Sequence, residues 1–254
     1  MKKNESVNRA IRRAVFRAGM AVSLLMLVGC ASGPQANRRD PLEPLNRSVY
    51  QFNDAVDRAV VKPVATVYRD VLPSPVRTGV TNFFNNLQDI WSFVNNSLQL
   101  KAEAAGNSLF RFGVNTFMGF GGVLDIATEM KIERNTKDFG QTLGYWGVGA
   151  GPYLVLPLLG PSTVRDTAAL SVDRRGNPVN SMSDVPTRNS LTALSLLDKR
   201  AQYLQATDML DQVALDPYSF TRDAFLQRRR SSVYDGNPPD EDEPLPASDE
   251  NSIK

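Results

Sequence analysis

The chain has 254 residues, of which 42% are hydrophobic, and it contains no histidine and a single cysteine. The absence of histidine excludes the usual serine-hydrolase triad and most zinc sites, and one cysteine cannot form an intramolecular disulfide. The first 29 residues hold six of the 29 basic side chains and one of the 27 acidic ones, so residues 30–254 carry a formal charge of about −3, which does not indicate a nucleic-acid partner.

Residues 1–29 are predicted to be a lipoprotein signal peptide. They have a basic start and an apolar centre at residues 18–28, far shorter than the roughly 20 residues that span a bilayer as a helix. The closing Leu27-Val28-Gly29-Cys30 resembles a bacterial lipobox, in which the cysteine thiol receives a diacylglyceryl group and, after cleavage, its amine is acylated. At about 0.8 kcal/mol per buried methylene, three acyl chains on Cys30 would make membrane residence permanent. Ala31, where an aspartate often causes inner-membrane retention, favours the outer membrane.

Residues 30–39 are interpreted as a lipidated tether, and a helical domain is predicted over residues 40–230. In its first helix the apolar residues recur at helical spacing, opposite a charged face: Val49, Phe52, Val56 and Val60. Pro63 predicts the start of a second short helix, and Pro73 with Pro75 predicts its end, because proline lacks a donor and restricts its predecessor.

The next two predicted helical stretches are unusually poor in charge. Between residues 78 and 124 only Asp89, Lys101, Glu103 and Arg111 are charged, and asparagine and glutamine supply most of the polarity. One interpretation is a soluble core in which the asparagines satisfy one another, and the other is a membrane-immersed bundle with an amphipathic interior. Composition does not decide between them, whereas a lipid anchor, by holding the domain at the bilayer, favours immersion. The charged residues between 125 and 138 predict a solvated connection.

Residues 139–164 contain no charged side chain. Six glycines and three prolines interrupt the segment, so we expect a partly irregular apolar structure rather than a spanning helix. Within a membrane, irregular backbone is tolerated only where it is buried in protein or lines a cavity, so the segment should pack against helices or border a wet passage.

The C-terminal part has an ordinary composition, and it should face water or a partner. Helices are predicted at residues 162–172 and 189–215, and a last helix from Pro217 with Phe220 and Phe225 facing inward. Residues 231–254 are predicted to be a disordered acidic tail.

Glycine-rich motifs do not indicate a nucleotide site. The stretches at residues 119–122 and 147–151 lack the third glycine of a dinucleotide fingerprint and the lysine of a phosphate loop, and no nucleophile-elbow motif occurs. No catalytic residue, metal site or cofactor is predicted, apart from the acyl groups on Cys30.

Several motifs together resemble the MlaA (VacJ) family of outer-membrane lipoproteins. They are the stretch from Asp40 to Arg47 continuing through Asn53, then Arg69-Asp70, Asn82-Phe83, Asn86-Leu87, residues 139–144 and 147–157, Arg165-Asp166, and Asp216 to Tyr218. The resemblance implies an all-α, membrane-embedded helical disc in the periplasmic leaflet of the outer membrane, with an amphipathic central passage, held beside trimeric porins. Such proteins remove mislocalised phospholipids from the outer leaflet and pass them to a soluble periplasmic carrier.

Motif matching places passage or gating roles at seven residues: Asn46, Phe52, Asn53, Phe139, Leu143, Trp146 and Tyr153. For Phe52 and Leu143 a simple role in the core is the alternative. Two other classes of function stay open: an adaptor lipoprotein that docks porins or the cell wall without moving lipid, and a phospholipase, whose serine would need lysine or aspartate for activation.

Overall fold

The computed structural model describes residues 40–239, so Cys30, the tether and the tail from residue 240 lie outside the described residues. This part of the chain is mostly helical. Its elements are α1 (Glu43–Val56), α2 (Lys62–Val71), α3 (Ser74–Leu98), α4 (Ala102–Phe117), α5 (Ile126–Glu129), α6 (Phe139–Tyr145), β1 (Tyr153–Leu156), β2 (Gly160–Thr163), α7 (Val164–Gly176), α8 (Val185–Val213) and α9 (Pro217–Val233).

Helices α1 and α2 form one nearly continuous rod, since a π-helical turn at Asp57–Val61 joins them without a break. Pro63, in the first turn of α2, lies just after this π-helical turn and has no N–H to donate to the preceding turn, so the rod departs from regular α-helical geometry at this point. The helix ends at Val71, two residues before Pro73, as the prolines predict.

Helices α3 and α4 form a helical hairpin. Apolar residues from Val76 to Leu87 and from Ile90 to Leu98 predict two successive helices, but α3 is a single helix of 25 residues. The turn that follows is tight, because Leu100 adopts a left-handed conformation (φ 58°) and the Leu100 N–H donates to the Ser97 carbonyl at 3.0 Å.

Helix α8 packs against α2 through a small apolar cluster of Ala65, Tyr68, Ala201 and Leu204. The Tyr68 hydroxyl donates to Asp198 at 3.0 Å, and together with burial this bond raises the pKa of Tyr68 to about 12. The helix begins at Val185, four residues before the predicted start. Its N-terminus is capped by the Asp184 side chain, which accepts a hydrogen bond from the Thr187 N–H.

The segment at residues 139–164 is not purely irregular, and the all-α expectation is wrong at this place. Strands β1 and β2 pair antiparallel, with Tyr153 opposite Thr163 and Leu156 opposite Gly160. The turn between them uses left-handed backbone at Leu158 (φ 63°) and Gly160 (φ 81°). Pairing satisfies the backbone groups that the prolines and glycines prevent from forming a helix.

Helix α9 packs against the β-hairpin of β1 and β2, and its Tyr218 is buried together with Tyr153 and Val155. Phe225 packs against this cluster as expected, but Phe220 is 55% exposed, so the prediction that it faces inward is wrong. The helix continues to Val233, and backbone hydrogen bonds fold the chain back as far as Asn237, so the predicted boundary of the tail at residue 231 is too early. Within residues 40–239, no helix is both long enough and apolar enough to cross a membrane.

Candidate functional site

The inner face of α3 is a stripe of polar side chains. They follow one another every three or four residues and are each at most 2% exposed: Asn86, Asp89, Ser92, Asn96 and Gln99. Residues at this spacing lie on one side of a helix. A buried helix face is normally apolar, so the interior of this helical hairpin is inverted.

Helix α4 and the connection after it supply the partners of this stripe. Asn86 donates to the Thr116 hydroxyl at 2.9 Å, and Asn96 donates to Ser108 at 3.3 Å and to the Asn135 carbonyl at 3.2 Å. These bonds link α3 to α4 through neutral groups.

Two buried charges are compensated within the same interior. Arg111, 2% exposed, donates to both oxygens of Asp125 at 2.9 and 2.8 Å, and Arg134 pairs with Asp89 at 2.9 Å. Burial raises the pKa of Asp89 in spite of the two nearby arginines. The prediction of a solvated connection at residues 125–138 is correct only in part. Glu129, Lys131 and Glu133 are exposed, whereas Asp125, Arg134 and Lys137 bond to partners on other elements.

A chain of hydrogen bonds extends the polar interior to α6. Gln99 donates to the Thr142 hydroxyl at 3.0 Å, Thr142 donates to Asn95 at 2.8 Å, and Asn95 donates to the Trp91 carbonyl at 2.9 Å. Four buried amide oxygens of the interior accept no hydrogen bond from the described residues: those of Asn86, Asn96, Gln99 and Gln141. Buried acceptors of this kind can take hydrogen bonds from water or from a polar ligand.

The outer surface around this interior is apolar. Phe117 is 88% exposed, Phe120 82% and Leu100 78%. Other exposed apolar side chains on or near α4 and α5 are Leu109, Phe110, Met118, Val123, Leu124 and Met130. We call this surface the apolar belt. The hydrogen bonds that the asparagines donate fit either interpretation of the charge-poor helices, but a soluble core does not predict an exposed belt of this extent.

Three of the predicted site residues come together at the β-hairpin of β1 and β2. The Asn46 amide donates to Asp40 at 2.8 Å and to the Tyr153 carbonyl at 3.0 Å, and its oxygen accepts from the Val155 N–H at 2.9 Å. Two helical turns further along α1, the Asn53 amide donates to the Leu156 carbonyl at 2.9 Å, and its oxygen accepts from the Leu158 N–H at 2.7 Å. Both asparagines therefore fasten α1 to β1 and the turn.

The neighbours of these asparagines differ in exposure. Tyr153 is fully buried, and burial raises the pKa of its hydroxyl, which has no hydrogen-bond partner among the described residues. Phe52 is 51% exposed on the outer side of α1, so it is not a core residue. Their roles in a passage stay predictions.

The other three predicted residues lie at α6, away from α1. The Phe139 N–H donates to Asp173 at 2.8 Å, and the Leu143 carbonyl accepts from the Val148 N–H at 2.9 Å. Trp146 is 58% exposed, and its indole N–H donates to the Leu98 carbonyl at 3.0 Å, where α3 ends. The predicted site residues thus divide into two groups, one where α1 meets β1 and one at α6.

The structure contains a partly buried ion cluster that the sequence did not predict. Arg229 on α9 donates to Asp138 at 2.5 and 2.7 Å and to Asp166 at 2.8 and 2.9 Å. Gly140 allows this approach, because an added Cβ would lie 2.4 Å from Asp166 Oδ1 and 2.5 Å from Arg229 Nη2. The only sequence signal was the short motifs at Phe139-Gly140 and Arg165-Asp166, which do not specify a partner.

Two of the motifs that are far apart in the chain also meet. Arg47 pairs with Asp216 at 2.6 Å across 169 positions, and Tyr218 donates its hydroxyl to buried Asp40. A model of the MlaA lipoprotein family matches residues 38–232, which include all of these contacts. The chain belongs to the MlaA lipoprotein family.

Relatives in the MlaA family cover most of the chain. It is 39% identical over 217 residues to the intermembrane phospholipid transport system lipoprotein MlaA of Escherichia coli K12, covering 83% of this chain and 86% of that protein. It is 33% identical over 234 residues to the MlaA lipoprotein of Haemophilus influenzae, covering 89% and 93%. A solved structure from work on the structural basis for maintenance of bacterial outer membrane lipid asymmetry is 34% identical, with a TM-score of 0.68, and covers 79% of this chain and all of that chain.

Proposed function

We propose that this chain is an outer-membrane lipoprotein of an intermembrane phospholipid transport system. In this role it removes phospholipids mislocalised to the outer leaflet and passes them to a periplasmic lipid carrier, which maintains lipid asymmetry. The observation that carries the proposal is the inverted hairpin of α3 and α4, with mostly uncharged polar groups and compensated charges inside and the apolar belt outside.

The apolar belt favours residence in lipid. Transfer of a phenylalanine or leucine side chain from water to an apolar environment contributes about 1.5–3 kcal/mol. Six such side chains amount to on the order of 10 kcal/mol, which immersion in acyl chains would recover. Because no helix among residues 40–239 can span the bilayer, a position within one leaflet fits the belt.

The polar interior offers what a lipid headgroup requires. A headgroup that leaves the outer leaflet must cross hydrocarbon, where an unsatisfied polar group is costly. Buried amides such as those of Asn96 and Gln99 have oxygens that accept no hydrogen bond from the part of the chain that the structure describes, and the charges of Asp89 and Arg111 are compensated by neighbours. A neutral polar lining would let the headgroup move without trapping it as an ion pair.

Anchoring and partners form the finer part of the proposal. Acylated Cys30, which lies outside the described residues, would hold the domain in the periplasmic leaflet. We propose a porin trimer beside the domain and a soluble periplasmic carrier as the recipient. Support for the system as a whole comes from the names of the relatives, which are lipoproteins of an intermembrane phospholipid transport system.

We propose transport rather than catalysis. The chain has no histidine for a general base, and residues 40–239 contain no cluster of acidic or cysteine side chains suited to a metal ion. A phospholipase would release fatty acid from the lipid it handles, whereas transport would not. An adaptor would dock its partner and leave lipid distribution unchanged.

The test is the exposure of phospholipid at the cell surface. In cells that lack this protein, enzymatic labelling from outside should detect phospholipid in the outer leaflet, and expression of the chain should remove the signal without fatty-acid release. A Cys30→Ala variant should fail to restore asymmetry, and its loss from the membrane fraction provides the control for anchoring. An unchanged labelling signal in the deleted cells would contradict the proposal, and fatty-acid release would favour the phospholipase.

A further inference from the structure

A cavity of about 410 Å³ lies at the N-terminus of α4, at the edge of the polar interior. It is lined by Lys101, Ala102, Glu103, Ala104, Asn107, Glu133 and Asn135. Within residues 40–239 no side chain caps this helix, so the first-turn N–H groups and the positive end of the helix dipole lie at the cavity wall. The volume is at the small end of the range for ligand sites and suits a headgroup rather than a whole lipid.

One residue of this wall, Lys101, also belongs to a two-lysine cluster. The carboxylate of Asp235 bridges Lys101 and Lys137, with a different oxygen for each ammonium group. Lys137 is 3% exposed, and it also donates to the Ser232 carbonyl at 2.7 Å. Burial lowers the pKa of Lys137 although Asp235 opposes the shift, and bonds from both lysines lower the pKa of Asp235 against its own burial.

The carboxylate of Asp235 contacts the two lysines as a bridging phosphate would, with one oxygen for each ammonium group. Two ammonium groups held by separate oxygens of one anion are also the donors that a phosphodiester would bind. We propose that Lys101, Lys137 and the adjoining cavity bind the headgroup of a zwitterionic phospholipid, and that Asp235 takes the place of its phosphate in this structure.

The acidic side chains of the cavity define the class of headgroup. Glu103 and Glu133 line the wall beside Lys101, and their charge would repel a free multivalent anion. A headgroup amine beside these carboxylates would instead form favourable ion pairs while the phosphate binds the lysines. Phosphoethanolamine has this distribution of charge, whereas a phosphoglycerol headgroup lacks the cation.

An apolar surface adjoins the cavity on the side of Lys101. Leu98 is 46% exposed, Leu100 78% and Trp146 58%, and the Tyr145 ring centroid lies 4.5 Å from the Lys101 ammonium. Acyl chains could contact these side chains while the headgroup enters the cavity. The proposal rests on the proposed function, because it takes phospholipid as the cargo.

The test is ligand binding to the purified full-length lipoprotein in non-ionic detergent. The ligands are short-chain phosphatidylethanolamine, short-chain phosphatidylglycerol and inorganic phosphate, titrated by calorimetry. Asp235→Asn should raise the affinity for phosphatidylethanolamine at least fivefold, and adding Lys101→Gln should remove the gain. Glu103→Gln with Glu133→Gln should abolish the preference for the ethanolamine headgroup. Glu129→Gln, at an exposed carboxylate of α5, is the matched control and should change nothing.

Three results would overturn the proposal. They are an affinity that Asp235→Asn leaves unchanged, equal binding of phosphatidylglycerol and phosphatidylethanolamine by the unaltered chain, or binding of inorganic phosphate as tight as that of the lipids. Circular dichroism of each variant shows whether it is folded. Substitution of Lys101, at the rim of the cluster, tests the contribution of a lysine to lipid binding without disturbing buried Lys137. Failure here leaves the cell-surface labelling result intact, so it is distinguishable from failure of the proposed function.

Discussion

Arg229 and Asp138 lie 91 positions apart in the chain, and they form two hydrogen bonds of 2.5 and 2.7 Å that fasten the last helix to the start of α6. Burial raises the pKa of Asp138, but the bonds and charge of Arg229 outweigh it and hold that pKa below its usual range. The clamp thus depends on an ionised carboxylate in a partly buried position. We infer that the ion pair of Arg229 and Asp138 holds α9 in place against the β-hairpin of β1 and β2.

Removal of this charge should destabilise the fold. Asp138→Asn should lower the free energy of unfolding by about 2 kcal/mol, since it removes one of the two carboxylates that pair with the partly buried guanidinium of Arg229. Chemical denaturation measures the effect. Asp70→Asn, at an exposed ion pair with Arg69, is the control and should leave stability unchanged. Equal losses for the two variants would contradict the clamp.

The same pair predicts a direction of pH dependence. The folded pKa of Asp138 lies below the unfolded value of about 3.9, so its contribution is complete above about pH 5 and is lost as the pH falls through the folded pKa. The unaltered chain should therefore lose more stability between pH 5 and pH 3 than Asp138→Asn does. Parallel unfolding curves over that range would show that the carboxylate is not responsible.

The sequence predicted the limits of helices better than the contacts between them. Pro73 and Pro217 mark real helix boundaries because a proline acts on its own backbone. The two-stranded hairpin was missed because its pairing depends on a turn with left-handed residues and on Asn46, more than 100 positions away. The motif residues were recognised, but their assignment to the bridge between α1 and β1 required the fold.

Gly140 should tolerate no side chain. In Gly140→Ala the added Cβ would clash with both Asp166 and Arg229, so the ion cluster must open, and we expect a loss of at least about 2 kcal/mol in the free energy of unfolding. Gly106→Ala is the matched control, because a Cβ there meets nothing within 4 Å and α4 should gain up to about 1 kcal/mol. Thermal unfolding of both variants decides the point, and a neutral Gly140→Ala would refute the close packing.

Asn46 should hold the hairpin to α1. Asn46→Leu keeps the approximate volume but leaves the Val155 N–H and the Tyr153 carbonyl without partners, at a cost of about 2–4 kcal/mol. Hydrogen exchange should show faster exchange at Val155 in particular. Asn189→Leu, at an exposed position of α8, provides the comparison. Unchanged protection of Val155 would mean that the bridge contributes nothing.

The apolar belt makes a prediction for membrane affinity without the anchor. In a chain that starts after Cys30, Phe117→Asp should reduce binding to phospholipid vesicles at least tenfold, because about 1.5–3 kcal/mol of apolar transfer is lost and a charge is added. Thr192→Asp, at an exposed position of α8, should have little effect. Flotation with vesicles measures the distribution, and equal binding of both variants would contradict immersion of the belt.

The most direct test of the inverted architecture is the depth of the belt in lipid. With both native tryptophans replaced by phenylalanine, one tryptophan is introduced at Phe117 and, separately, at Thr192, and quenching by lipids brominated along the acyl chain is measured in reconstituted vesicles. If the apolar belt is immersed in acyl chains, quenching is strong at position 117 and weak at position 192. Weak quenching at position 117, together with full exposure to an aqueous quencher, would place the belt in water and contradict the inverted architecture.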